Sequence, residues 1–87
     1  MFDYYTPPSQ EVFDDIKQAS IKVWQSMDDT YGYTTDKIKR IKDLENVQDN
    51  AWYMFAMFDI FNQAKLIDLV SPTTQEKIQE MLDWSKS

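Results

Sequence analysis

Apolar residues return at helical intervals from the first proline pair onward. Val12, Phe13, Ile16, Ala19, Ser20, Val23, Trp24, Met27 and Tyr31 share one arc of about 140° when successive residues turn by about 100°. The opposite arc carries Asp14, Asp15, Gln18, Lys22, Gln25, Asp28 and Asp29. Thr6 or Ser9 is placed to cap the helix, and Glu11 favours its dipole. Gly32, the only glycine, follows Tyr31 where a left-handed residue ends a helix. The pattern predicts a helix over about 9–31, preceded by an extended arm, 1–8.

A second helix, about 35–46, restarts at Thr34 or Thr35 with Asp36 in its first turn. Ile38, Ile41, Leu44 and Val47 step by three, a row that drifts by about 60° per step and leaves the core of a straight helix. A break near Asn46 follows, with Asn46 or Asp49 as the next cap. The third helix is expected over 48–69. Between Trp52 and Phe61 it holds Trp52, Tyr53, Met54, Phe55, Met57, Phe58 and Phe61. A helix apolar on nearly all sides is a central one. Ser71 with Pro72 in the first turn, or Thr73 with Glu76 as a capping box, begins a last helix over about 72–85, whose apolar side is Ile78, Met81, Leu82 and Trp84.

No segment alternates with period two between turn signals. The expected fold is therefore all-α: a single domain, 1–87, of three to four helices bundled around the aromatic-rich segment 48–69. Eighty-seven residues at 43% hydrophobic and 15% aromatic content are enough for one core and too few for two.

The chain contains no cysteine and no histidine. Disulfides, thiol nucleophiles, Cys/His zinc sites and imidazole bases are excluded, and helical-bundle metal sites of the Glu-x-x-His kind cannot be made. "DDTYGYTTD", 28–36, fails as a calcium loop. With Gly32 at loop position six, Met27, Tyr31 and Ile38 would stand where oxygen ligands belong. No metal or cofactor is expected, and no catalytic residue. The first residues lack the basic and apolar regions of a signal peptide. The apolar run Ala51–Phe58 is far short of the roughly 20 residues a membrane span needs. A cytoplasmic protein without membrane contact is expected.

The formal charge is −6, distributed in blocks. Residues 1–36 and 43–87 are each acidic by five charges, while "KIKRIK", 37–42, is basic by four. The balance disfavours nucleic acid and favours a basic protein partner. The basic cluster has no aromatic interleaving and suits pairing with the chain's own acids or an acidic rim on a partner. The candidate docking face is the outer side of the first helix: Asp14, Asp15, Asp28 and Asp29 around an outward-projecting Ile21. A candidate self-association face comprises Trp52, Phe55, Phe58 and Asp59, because aromatics concentrate at interface centres. The tyrosines of "FDYY", 2–5, and "YGY", 31–33, cover the bundle ends, or Phe2, Tyr4 and Tyr5 form an arm that reaches a second chain.

The expected function is thus a non-enzymatic inhibitor or regulator docking on a basic surface of a nucleic-acid-handling protein. Small acidic accessory proteins of phages and mobile elements, such as blockers of restriction or CRISPR systems, share this general character. The alternative is a structural or scaffold subunit, monomer or homodimer, self-associating through the aromatic and methionine face. An enzyme would have to rely on Asp, Glu, Lys, Tyr or a bound metal.

Overall fold

Helix formation begins where Ser9 supplies an acceptor. Its hydroxyl oxygen accepts the Val12 N–H at 3.3 Å and opens α1, Gln10–Gln25. The computed structural model describes residues 7–28, 32–47 and 49–86. Among them α1 is followed by α2 (Tyr33–Lys42), α3 (Asn50–Ala56), α4 (Ile60–Leu69) and α5 (Pro72–Lys86), with no strand. The protein is a small all-α bundle. The arm residues 1–6, Asp29, Tyr31 and the side chain of Trp84 lie outside the described residues.

α1 ends earlier than the apolar period suggests. The Ser26 hydroxyl donates to the Val23 carbonyl at 2.7 Å, and the Met27 N–H turns back to Trp24 at 3.1 Å. Gly32 does not close this helix. With φ +70 it is the residue preceding α2, and its carbonyl accepts the Asp36 N–H at 3.1 Å. A left-handed backbone at that point suits glycine, which has no Cβ to strain it, and it starts α2 ahead of Thr34.

The spine of the bundle is α1, not 48–69. It packs against each of the other four helices. Val12, Phe13, Ile16, Ala19, Ser20, Val23 and Trp24 are all buried, as the periodicity indicates, but so is Ile21. This corrects the reading of Ile21 as an outward contact point. On a helical projection Lys17 lies between Trp24 and Ile21. Its ammonium donates to the Leu44 and Lys42 carbonyls at 2.7 and 3.2 Å. The C-terminal end of α2 therefore covers this side of α1, and the buried arc widens to about 200°. A cation on a helix's last carbonyls also complements its dipole.

The segment 48–69 is not one helix. α3 stops at Ala56, and Asp59 starts α4 by accepting the backbone N–H and the side-chain amide of Asn62, each at 2.9 Å. Gln63 reaches back across the corner, donating to the carbonyls of Phe58 at 3.0 Å and Phe55 at 3.4 Å. The break turns Phe58 inward, where its ring lies 4.9 Å from that of Trp24. Ala51, Met54 and Phe55 are buried from α3, whereas α4 buries only Leu66 along its own length. Phe55 and Phe58 are therefore core residues and form no self-association face, which corrects that assignment. Trp52 is half-buried against the same core, its ring 5.8 Å from Phe55, and exposed Asp59 is occupied as a cap.

Candidate functional site

The first turn of α5 is tied to the middle of α1. Pro72 stands at the first helical position, where its missing N–H costs nothing. The Ser71 hydroxyl oxygen accepts the Thr74 N–H at 3.4 Å. The Ser71 N–H and the Thr74 hydroxyl both donate to Asp15 Oδ2, at 2.9 and 2.7 Å. One carboxylate of α1 thus satisfies an amide just ahead of α5 and a buried hydroxyl within it. Burial pushes the Asp15 carboxyl up. The Ser71 N–H, the Thr74 and Ser71 hydroxyls and the charge of Lys22 outweigh that and hold it below the usual carboxylate value.

This clasp forms the floor of a trough between α1 and α5. Its larger part, about 550 Å³, runs past Glu11, Asp14, Asp15 and Gln18 on one side and Ser71, Thr73 and Thr74 on the other. A smaller part, about 210 Å³, continues from the shared residues Ser9, Val12 and Thr73 to Glu76, Lys77 and Glu80. Five carboxylates therefore line the trough against one ammonium, and that ammonium, Lys77, sits 3.9 Å from Glu80. No basic residue of α2 lines either part. Arg40 pairs instead with Asp36 at 3.1 Å, and Lys37 lies 5.1 Å from the centre of the Tyr33 ring.

Of the acidic residues expected to act together, the structure joins two. Asp14 is exposed on the trough rim, held at 2.9 Å by the Gln10 amide, and Asp15 lies at its base. Asp28 stands past the other end of α1, a helix whose last ten residues beyond Asp15 span about 15 Å. Asp29 lies outside the described residues. Glu11, Glu76 and Glu80, rather than Asp28, complete the acidic lining with Asp14 and Asp15. Glu11 was legible as a first-turn acid of α1. The two glutamates of α5 were not, because only tertiary packing brings them alongside α1.

The trough offers hydrogen-bond acceptors with excess negative charge, which suits guanidinium and ammonium groups. Among the described residues no three acidic side chains converge closely enough to hold a metal ion. No helix among them is long and apolar enough to cross a membrane. The chain matches no protein-family model, and no curated protein and no solved structure matches it.

Proposed function

We propose that this chain is a non-catalytic binding module that docks on a basic protein surface and seats an arginine- or lysine-bearing segment in the trough between α1 and α5. The single observation that carries the reading is the lining of five carboxylates, Glu11, Asp14, Asp15, Glu76 and Glu80, opposed only by Lys77. A negative field of this kind speeds encounter with a basic partner and competes with phosphates for it. A nucleic-acid-handling protein, whose own binding groove is basic, fits that chemistry, and occupying the groove inhibits it.

The test is binding of a fluorescent arginine-rich peptide to the full chain, followed by anisotropy at low and high salt. Glu11→Gln, Asp14→Asn, Glu76→Gln and Glu80→Gln together remove four trough charges and leave the Asp15 clasp intact. Asp43→Asn, Glu45→Gln, Asp49→Asn and Asp83→Asn remove the same charge elsewhere. The expected result is a loss of about tenfold or more in affinity, or about 1.4 kcal/mol, in the first variant and a small change in the second. Equal losses in both variants would mean that net charge alone attracts the peptide, and the trough reading would fall.

A further inference from the structure

Ile60 and Phe61, in the first turn of α4, are each 80% exposed. Farther along the helix, Lys65, Asp68 and Leu69 form one wall of a groove of about 500 Å³, and Lys22, Val23 and Ser26 of α1 form the other. Val23, Leu69 and the methylene stems of the two lysines give this groove an apolar lining. Phe61, Lys65 and Leu69 are spaced four residues apart, so they follow one side of the helix, and Phe61 precedes Leu69 by about 12 Å. The projecting ring and the recess are thus carried on one helix, side by side.

We infer that α4 pairs with α4 of a second copy, antiparallel about a two-fold axis close to Ala64, so that Phe61 of each copy enters the groove of the other. Reversing the helix about the midpoint between residues 64 and 65 sets residue 61 opposite residue 68, one position from Leu69, and residue 60 opposite residue 69. One rotation therefore fills both recesses and closes the assembly, as an isologous contact must. Ala64 is exposed and short enough to let the two backbones approach at the axis. Charge does not oppose pairing through this face. Lys22, Lys65 and Asp68 make it slightly basic in a chain of −6, so two acidic copies meet here away from their carboxylate-rich surfaces. Lys65 also comes near the ring of the other copy's Phe61, a cation–π arrangement.

The contact involves one principal helix per copy and belongs to the small interfaces, below about 1,200 Å² in total. Sedimentation velocity on the full chain, from about 1 μM to about 1 mM, is expected to show mass rising from monomer toward dimer. Phe61→Glu and Leu69→Lys, at the projection and the recess, should each hold the chain monomeric while leaving its helical circular dichroism unchanged. Because the chain has no cysteine, single-cysteine variants report the axis directly. Under mild oxidation Ala64→Cys should cross-link much faster than Glu45→Cys, on the exposed segment between α2 and α3. A wild-type chain that stays monomeric throughout overturns the proposal. So does a dimer that survives both α4 variants, or one in which the two cysteines cross-link equally. Neither α4 substitution lies in the acidic trough, so peptide binding and dimerisation fail or succeed separately.

Discussion

The Thr74 hydroxyl donates to the Asp15 carboxylate across 2.7 Å, joining side chains 59 positions apart in the chain. With the Ser71 N–H on the same oxygen at 2.9 Å, this contact fixes where α5 begins relative to α1. It also sets the width of the acidic trough. A structural carboxylate therefore stands at the base of a surface whose other carboxylates, Glu11, Asp14, Glu76 and Glu80, are exposed, and the two roles separate by experiment.

Asp15→Ala leaves the buried Thr74 hydroxyl and the Ser71 amide without their acceptor. The expected loss of stability is about 1–3 kcal/mol, measured by urea denaturation at neutral pH. Pro72 and the Ser71 cap remain in place, so α5 should still form.

The same carboxylate makes a signed prediction about acid. Its folded-state pKa lies below the usual value, so its charge contributes stability that is complete above the unfolded-state pKa of about 3.9. That contribution is lost as pH falls below this value and through the folded-state pKa. The stability difference between wild type and Asp15→Asn, taken from denaturation curves between pH 7 and pH 2, should be flat at the upper end and shrink toward the lower. A difference that grows on acidification would contradict the clasp.

Two glutamines perform one task at successive corners. Gln63 donates to the carbonyls five and eight residues before it, Phe58 and Phe55. Gln75 does the same to Val70 at 3.4 Å and Ile67 at 2.9 Å. Each is the fourth residue of a helix whose cap is Asp59 or Ser71, and each satisfies carbonyls at the end of the helix before it. Gln63→Ala and Gln75→Ala should each cost about 1 kcal/mol. The double variant should cost their sum within about 0.5 kcal/mol, because the two corners share no partner. Thermal or urea denaturation of the three variants checks both statements.

These corners explain where the sequence was legible and where it was not. The buried arc of α1 from Val12 to Trp24 follows from a period of 3.6 residues, and Ser9 and Ser71–Pro72 follow from local capping chemistry. Ile21 escaped because periodicity assumes one buried side, whereas α1 is wrapped by four helices. The division of 48–69 escaped because Met57 and Phe58 continue an apolar helical pattern through the break. The signal was present in Asp59, three residues before Asn62 and four before Gln63, but those residues also read as a polar strip on an unbroken helix. Half of the trough was visible as acids on α1. Glu76 and Glu80 needed the Asp15–Thr74 contact to bring them beside α1.

Lys17 tests the wrapping of α1. Its ammonium closes the end of α2 through the Lys42 and Leu44 carbonyls, and it lies 5.6 Å from the centre of the Phe13 ring. Lys17→Met keeps most of the apolar stem and removes the donors. A loss of about 1 kcal/mol is expected, accompanied by faster amide exchange at the C-terminal turn of α2 than elsewhere. Uniformly accelerated exchange would show that the bond does not hold α2 in particular.

The aromatic segment yields the sharpest contrast, since three phenylalanines within seven positions have different fates. Phe55 is fully enclosed, Phe58 is 5% exposed against Trp24, and Phe61 is 80% exposed. Phe55→Ala opens a cavity in the core beside Trp52 and should cost about 3–5 kcal/mol, enough to unfold much of a domain this small. Phe58→Ala should cost nearly as much and perturb Trp24 fluorescence as well. Phe61→Ala removes no core contact, so at concentrations where the chain is monomeric its effect should stay within about 0.5 kcal/mol. The pair Ile21→Ala and Ile60→Ala repeats the comparison with one side chain: about 2–5 kcal/mol at the buried position and about 0.5 kcal/mol or less at the exposed one. Denaturant titrations of the five variants at low micromolar concentration decide it. A strongly destabilising Phe61→Ala, or a silent Ile21→Ala, would place the helix break and the covering of α1 elsewhere.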